Sequence, residues 1–192
     1  LEDVPFQVID AGWSPRHGSG SVDGGASWPS YADDDAAAWI VQSSGTTGRP
    51  KFLRLSAGLV RRRVQAVTTE FGGDCNRTAS LFAAGARPFL IRGAAGVLAG
   101  AAILDSADLG FLQAQKVDLL PAAPRLLREW LGDRRIEPQL PRVQCSGAKL
   151  SPEDIARFLG SFAQVEDVYG ATETIKAHVN VSRIEDGRVV TR

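Results

Sequence analysis

Residues 117–131 read Val-Asp-Leu-Leu-Pro-Ala-Ala-Pro-Arg-Leu-Leu-Arg-Glu-Trp-Leu. The run Val117 to Leu120 is apolar and too short for a helix, so it predicts a strand. Pro124 then suits the first turn of a helix ending at Leu131, because a helix start leaves its first N–H groups unpaired and proline has none to lose. The same grammar continues downstream. Arg142 to Cys145 predicts a strand. Ser151-Pro152-Glu153-Asp154 supplies an N-cap, a proline and an acidic first turn for a helix reaching about Leu159, and Gln164 to Tyr169 predicts the next strand.

Upstream, Ala38 to Gln42 predicts a buried strand, followed by a loop from Ser43 to Lys51 and a short strand from Phe52 to Leu55. Ser56 caps a helix whose Leu59, Val60, Val64 and Val67 share one face, while Arg61, Arg62 and Arg63 point mostly outward as a solvated face. Ala79 to Ala84 predicts a strand, Ile91 to Leu104 a helix packed closely through Gly and Ala, and Leu109 to Gln115 a short helix. At the end, Ala177 to Val181 and Arg188 to Thr191 flank Asp186-Gly187, a hairpin signal. Strands alternating with helices predict an α/β domain, a layered sheet with flanking helices.

Composition bounds the rest. A chain of 192 residues with 44% hydrophobic content buries a sizeable core, which excludes disorder throughout. With 22 Lys+Arg against 22 Asp+Glu the net charge is zero, so composition implies no basic face for nucleic acid or an anionic membrane. No apolar run has the length of a membrane span, and Leu-Glu-Asp-Val-Pro at the start lacks the pattern of a signal peptide. A soluble, cytoplasmic location is the expectation. Cys75 and Cys145 stand far apart, with only His17 and His178 as further soft ligands, so both thiols are expected reduced and packed, without zinc. The chain has no Met, and a natural start upstream of Leu1 is expected. Residues 1–36 are rich in Gly, Ser, Pro and Asp and read as a linker or loop-rich segment, with a core at 37–176 and a hairpin-like extension at 177–192.

The densest chemistry lies in Ser43-Ser-Gly-Thr-Thr-Gly-Arg-Pro-Lys51, directly after a strand. Gly45 and Gly48 free the backbone to present N–H groups, the hydroxyls donate to anionic oxygens, and Arg49 and Lys51 add positive charge. Such a loop suits a polyphosphate. Its spacing is not that of a Walker A loop, and taken alone it reads equally as a polar surface turn. Tyr169-Gly-Ala-Thr-Glu-Thr174 ends another strand. Thr172 offers a hydroxyl and Glu173 a hard carboxylate of the kind Mg²⁺ prefers, although Tyr169 by itself reads equally as a core aromatic. Cys145-Ser-Gly-Ala-Lys-Leu150 places small residues where a flat ring can lie against backbone.

In this order and spacing the elements resemble the acyl-adenylate-forming superfamily, which contains acyl- and aryl-CoA synthetases, nonribosomal peptide synthetase adenylation domains and luciferase-like enzymes. Ser44 to Lys51 is similar to its phosphate loop, Ser-Gly-Thr-Thr-Gly-x-Pro-Lys, and Tyr169 to Glu173 to its Tyr-Gly-x-Thr-Glu signature. Ser146-Gly-Ala-x-Leu150 with Pro152-Glu153 resembles the segment beside adenine and acyl substrate, and Val117 to Leu127 its strand-then-proline helix. The resemblance spans about Ala37 to Thr174 and implies part of the large N-terminal domain of such an enzyme.

That resemblance implies activation of a carboxylic acid by Mg-ATP as acyl-AMP, then transfer to a thiol of coenzyme A or carrier-protein phosphopantetheine. It implies that Thr46, Thr47 and Lys51 hold the β and γ phosphates, that Ser44, Gly45 and Gly48 of the same loop bind the nucleotide, that Thr172 meets the α-phosphate and that Glu173 binds Mg²⁺. Gly147, Ala148, Tyr169, Gly170 and Ala171 would border adenine and the acyl pocket. Lys51, Thr172 and Glu173 are thus the expected catalytic residues. Phe52 stands where the family has Gly after the lysine, and near Leu81 to Phe89 no His is present, so Phe82 or Phe89 substitutes for the aromatic that gates the acyl site. No Asp lies there to pair with a substrate ammonium, which favours a plain carboxylic acid. The family's ribose-binding Asp, hinge and C-terminal lysine would lie beyond Arg192, making the C-terminal domain an expected partner, alongside an acyl carrier protein. A catalytically incomplete nucleotide- or acyl-binding module is the alternative.

Overall fold

A computed structural model describes residues 34–35, 37–43, 51–70, 75–83, 86–170 and 176–192. In chain order the elements are β1 (Ala37–Ser43), β2 (Lys51–Ser56), α1 (Ala57–Thr68), β3 (Arg77–Thr78), α2 (Arg87–Leu98), β4 (Ala102–Ile103), α3 (Leu109–Ala114), β5 (Leu119–Ala122), α4 (Pro124–Leu131), β6 (Leu140–Ser146), α5 (Pro152–Phe158), β7 (Phe162–Tyr169), β8 (His178–Glu185) and β9 (Arg188–Thr191). β1 and β2 form an antiparallel pair of their own; the others form a sheet in the order β4-β3-β5-β6-β7-β8-β9. β4 through β7 run parallel, and β8 and β9 continue the sheet antiparallel.

The parallel part is covered on both faces, as βαβ connections require. One face carries the larger core, in which Leu120, Val143, Cys145 and Val165 of the sheet meet Leu112 of α3, Leu127 and Leu131 of α4, and Phe158 of α5. On the opposite face Leu119 meets Val64 of α1 and Ile91 and Ala95 of α2. The chain is therefore a layered α/β fold with helices on both sides of its sheet.

Local chemistry explains most boundaries. Ser56 accepts from the Leu59 N–H at 3.3 Å and Asp108 from the Phe111 N–H at 2.7 Å, each satisfying a donor that the helix start leaves orphaned. At α5 the Ser151 hydroxyl accepts from the Asp154 N–H at 3.1 Å while the Asp154 carboxylate accepts from the Ser151 N–H at 3.4 Å, a reciprocal capping box. Such a cap contributes about 1 kcal/mol. The C-terminal hairpin turns at Asp186 (φ 50°) and Gly187 (φ 72°), the left-handed pair that matches the twist of two short-linked strands.

Four expectations are corrected. Ala38 to Gln42 is not a buried strand: among the described residues β1 pairs with β2 alone, and Ile40 is 73% exposed while Trp39 packs against the smaller core. Arg63 is buried at 5% exposure, because it sits between Val60 and Val67 on the inward face; Arg61 and Arg62 are exposed as expected. The strand expected at Ala79 to Ala84 is instead Arg77–Thr78. Ala79 and Leu81 still donate to the carbonyls of Leu119 and Pro121, but the Ser80 hydroxyl accepts from the Phe82 N–H and bends the chain away. Ala84 lies outside the described residues. Finally, the helix expected at Ile91 to Leu104 begins at Arg87, where Pro88 occupies the first turn, and ends at Leu98, leaving Ala102–Ile103 as the edge strand β4.

Candidate functional site

The carboxyl ends of the parallel strands lie along one edge, the place where open α/β sheets bind ligands. Register fixes what meets there. Ala122 of β5 pairs with Cys145 of β6, Cys145 with Asp167 of β7, and Ser146 with Val168. Gly147 follows the last residue of β6 and Tyr169 is the last residue of β7, so Gly147-Ala148 and Tyr169-Gly170 emerge side by side. Gly147 has φ of 95°, a conformation that side chains rarely adopt, and a Cβ built there would meet nothing within 4 Å. Ala148 and Gly170 are exposed, and Tyr169 is 72% exposed. The reading of Tyr169 as a core aromatic is thereby excluded. These four residues offer open backbone and an aromatic ring at one edge, suited to a flat heterocycle.

Lys51 opens β2 opposite Ser43, so the Ser44 to Pro50 stretch connects two paired residues of the smaller sheet. Ser44, Gly45, Thr46, Thr47, Gly48, Ala171, Thr172 and Glu173 lie outside the described residues. Tyr169 pairs with His178, and the Ala177 N–H donates to the Tyr169 carbonyl at 2.9 Å. His178 is exposed and its Nε2 lies 2.7 Å from Asn180 Oδ1. Phe82 is half-buried, at the bend that follows β3.

Beneath this edge is a polar network that the sequence reading missed. On the α1/α2 side of the sheet Gln144 donates to Glu166 Oε2 at 2.7 Å and to Glu70 Oε2 at 3.3 Å, while Gln164 donates to Glu166 Oε1 at 2.7 Å. Arg92 of α2 donates to Glu70 Oε2 at 3.1 Å and also to the Gln144 side-chain amide oxygen Oε1. Arg142 lies 3.7 Å from Glu166, and Lys176 donates to Glu70 Oε1 at 2.5 Å. Burial alone would raise the Glu70 carboxyl, but Arg92, Lys176 and the Gln144 amide outweigh it and hold it below its ordinary value. The signal was available: Arg142 and Gln144 alternate with Val143 and Cys145 inside a central strand, where fully apolar runs are the rule.

Both cysteines are free and buried, as expected. Burial, reinforced by the charges of Asp167 and Asp154, pushes the Cys145 thiol up to about 12, and burial raises Cys75 as well. Neither suits a nucleophile. No group of three or more His, Cys, Asp or Glu residues able to hold a metal occurs among the described residues, and none of the described helices is long and apolar enough to cross a membrane.

Several solved structures share this fold. MbtA of Mycobacterium smegmatis superposes with a TM-score of 0.61 at 23% identity, covering 81% of this chain and 31% of that one. O-succinylbenzoate coenzyme A synthetase (MenE) from Bacillus subtilis, in complex with AMP, gives 0.60 at 18% identity, covering 77% and 32%. The N-terminal domain of FACL13 from Mycobacterium tuberculosis gives 0.60 at 16% identity, covering 72% and 38%. The chain thus spans about a third of the length of the structures it matches. The sequence model of the AMP-binding enzymes matches residues 6–191, nearly end to end. With its fold shared by these structures and its sequence matched over that range, the chain belongs to the AMP-binding enzyme family.

Proposed function

We propose that this chain is the nucleotide-gripping part of an enzyme that activates a carboxylic acid with ATP as acyl-AMP and passes the acyl group to a thiol. The observation that carries the reading is the adjacency of Gly147-Ala148 and Tyr169-Gly170 at the carboxyl edge of the parallel sheet. In the reaction a carboxylate oxygen bonds to the α-phosphorus of ATP as the bond to the β-phosphate oxygen breaks, giving acyl-AMP and pyrophosphate. A thiol then displaces AMP to form a thioester. The protein's task is to hold the nucleophile in line and neutralise the transferring group.

On this reading Ser44 to Gly48 present N–H and hydroxyl donors to the β and γ phosphates, and Lys51 adds a cation there. Thr172 donates to the α-phosphate. Glu173 would offer a hard oxygen ligand to Mg²⁺, whose charge would help neutralise the phosphates. Gly147, Ala148, Tyr169, Gly170 and Ala171 flank the base and the acyl group. The acceptor is coenzyme A or the phosphopantetheine of an acyl carrier protein, the setting is cytoplasmic, and the C-terminal domain of the same enzyme is the partner that completes the site. Residues 37–176 are the functional core, with 1–36 as linker and 177–192 as an extension.

The test is ATP–pyrophosphate exchange across a panel of carboxylic acids, with the chain alone and extended at both ends. Exchange that disappears in Lys51→Ala and Glu173→Ala is the expected result. No exchange from the extended protein with any acid would sink the enzymatic reading. A second reading is a binding module without catalysis. Specific AMP binding without exchange in the extended protein would support it.

A further inference from the structure

Gln144 of β6 and Glu166 of β7 stand opposite each other in the register of two parallel strands, and their side chains join at 2.7 Å. Both are buried, at 5% and 7% exposure. Gly147 lies three residues beyond Gln144, and Tyr169 three beyond Glu166, so this bond crosses the strands at one level directly below the candidate base site. The Gln144 amide is fully engaged: its nitrogen donates to Glu166 and to Glu70, and its oxygen accepts from Arg92 of α2. Glu166 is held on its other oxygen by Gln164, with Arg142 at 3.7 Å. The pair is thereby tied to α2 and to Glu70, just beyond α1, as well as to itself.

The edge above has little to hold it. Pairing between β6 and β7 ends at Ser146 and Val168, and of the residues that follow, Gly147, Ala148 and Gly170 carry at most a methyl group. Tyr169 is 72% exposed, so its ring takes little support from the core. β8 holds Tyr169 from the far side, through its pair with His178, but does not span the gap toward Gly147. The spacing between the two strand ends is therefore set from below. On the opposite face Cys145 and Val165 pack in the apolar core, and apolar packing is non-directional. Hydrogen bonds are directional, and a buried amide and carboxylate with their partners in place rigidify the strands they join.

We propose that Gln144 and Glu166 are positioning residues that set the gap between Gly147-Ala148 and Tyr169-Gly170, into which the base of the nucleotide fits. Neither touches the nucleotide; each acts through the three residues above it on its own strand. The proposal rests on the assignment of that edge to the base.

The experiment compares the wild-type chain with Gln144→Met, Glu166→Met, the double variant Gln144→Met/Glu166→Met and Glu166→Gln. For each, the dissociation constant of AMP is measured by calorimetry, together with the unfolding midpoint and hydrogen exchange of the peptides spanning residues 143–150 and 165–170. Methionine keeps the volume and removes the bonds. Each methionine single leaves a buried partner without its bond and lowers the midpoint, whereas the double removes both groups and recovers most of that loss. Binding geometry of this kind holds only within about 0.5 Å, so AMP affinity is expected to fall about tenfold in the singles and to stay as low in the double, with faster exchange in both peptides. Glu166→Gln keeps an acceptor for Gln144 and stays within about twofold of wild type. A merely structural role would make affinity follow the midpoint. Affinity that recovers in the double variant therefore overturns the proposal, as does wild-type affinity in both singles. If a methionine single does not fold, Glu166→Asp, one methylene shorter, against Glu166→Gln gives the same comparison. A wild-type chain that binds no AMP overturns the function proposed above. Exchange in the two peptides then decides the positioning role by itself, and unchanged exchange in both singles and the double overturns it.

Discussion

Replacing Gly147 by Ala separates two consequences of one backbone conformation. At φ of 95° an L side chain is strained whatever room it has, and the room is ample, since a Cβ there meets nothing within 4 Å. The stability cost is therefore conformational alone, about 1–2 kcal/mol. For a domain of this size that is a fall of about 2–8 °C in the unfolding midpoint. If a base lies flat against the backbone at Gly147, a methyl group projecting about 1.5 Å from Cα pushes the ring off its contact. Affinity for ATP then drops by about tenfold or more beyond anything the stability loss explains. Gly187→Ala is the matched control: its φ of 72° imposes similar strain in the C-terminal hairpin, with no Cβ clash. It should lower the midpoint and leave nucleotide affinity unchanged. Calorimetric titration and thermal unfolding of the three proteins decide the matter. Wild-type affinity in Gly147→Ala would remove Gly147 from the base site, and a wild-type midpoint would refute the strain argument.

Leu127, fully buried in the larger core between α4 and the sheet, should cost about 3–5 kcal/mol on truncation to Ala, measured by urea unfolding. Glu70 links stability to pH. Its folded-state value lies below the ordinary 4.5, so its contribution is complete above 4.5 and is lost as pH falls through the lower folded value. Unfolding midpoints followed from pH 7 downward should fall less steeply in that acid window for Glu70→Gln than for wild type; parallel curves would contradict the assignment. Cys75 and Cys145, buried and with raised thiol values, should resist a disulfide reagent at pH 8 in the native chain and both react once it is denatured, counted by absorbance of the released thiolate.

What was legible in the sequence is what short-range physics controls. Ser56, Ser151 and Pro124 mark helix starts because the groups they satisfy lie within a turn, and Asp186-Gly187 marks a hairpin because the turn needs positive φ at both positions. The placement of glycine-rich stretches at strand ends was legible, and register sets Gly147 and Tyr169 beside each other at the ends of β6 and β7. The polar network was not. Arg142 and Gln144 within β6 signalled a polar face, but three of the bonds join residues 52, 74 and 106 positions apart, and no local periodicity reports such pairings. Arg63 was misread for a related reason: three consecutive arginines look like a solvated face, yet successive helical residues are about 100° apart, and position 63 falls on the stripe of Val60 and Val67.

The network bears on the site through register more than through stability. Buried ion pairs can often be replaced by apolar side chains at little cost, so the charges under β6 and β7 are weak evidence of net stabilisation. Their effect on alignment is different. In β6, Arg142 and Gln144 face α1 and α2 while Val143 and Cys145 face α4 and α5. A slip of one residue would drive Arg142 and Gln144 into the apolar layer around Leu127 and leave Glu166 without its partners. Each such unsatisfied group costs about 1–3 kcal/mol, more when charged. An all-apolar β6 would carry no comparable penalty, because valine and leucine pack on either face. The pairing of Gln144 with Glu166 thus selects the register that sets Ser146 against Val168, and that register alone brings Gly147 out beside Tyr169.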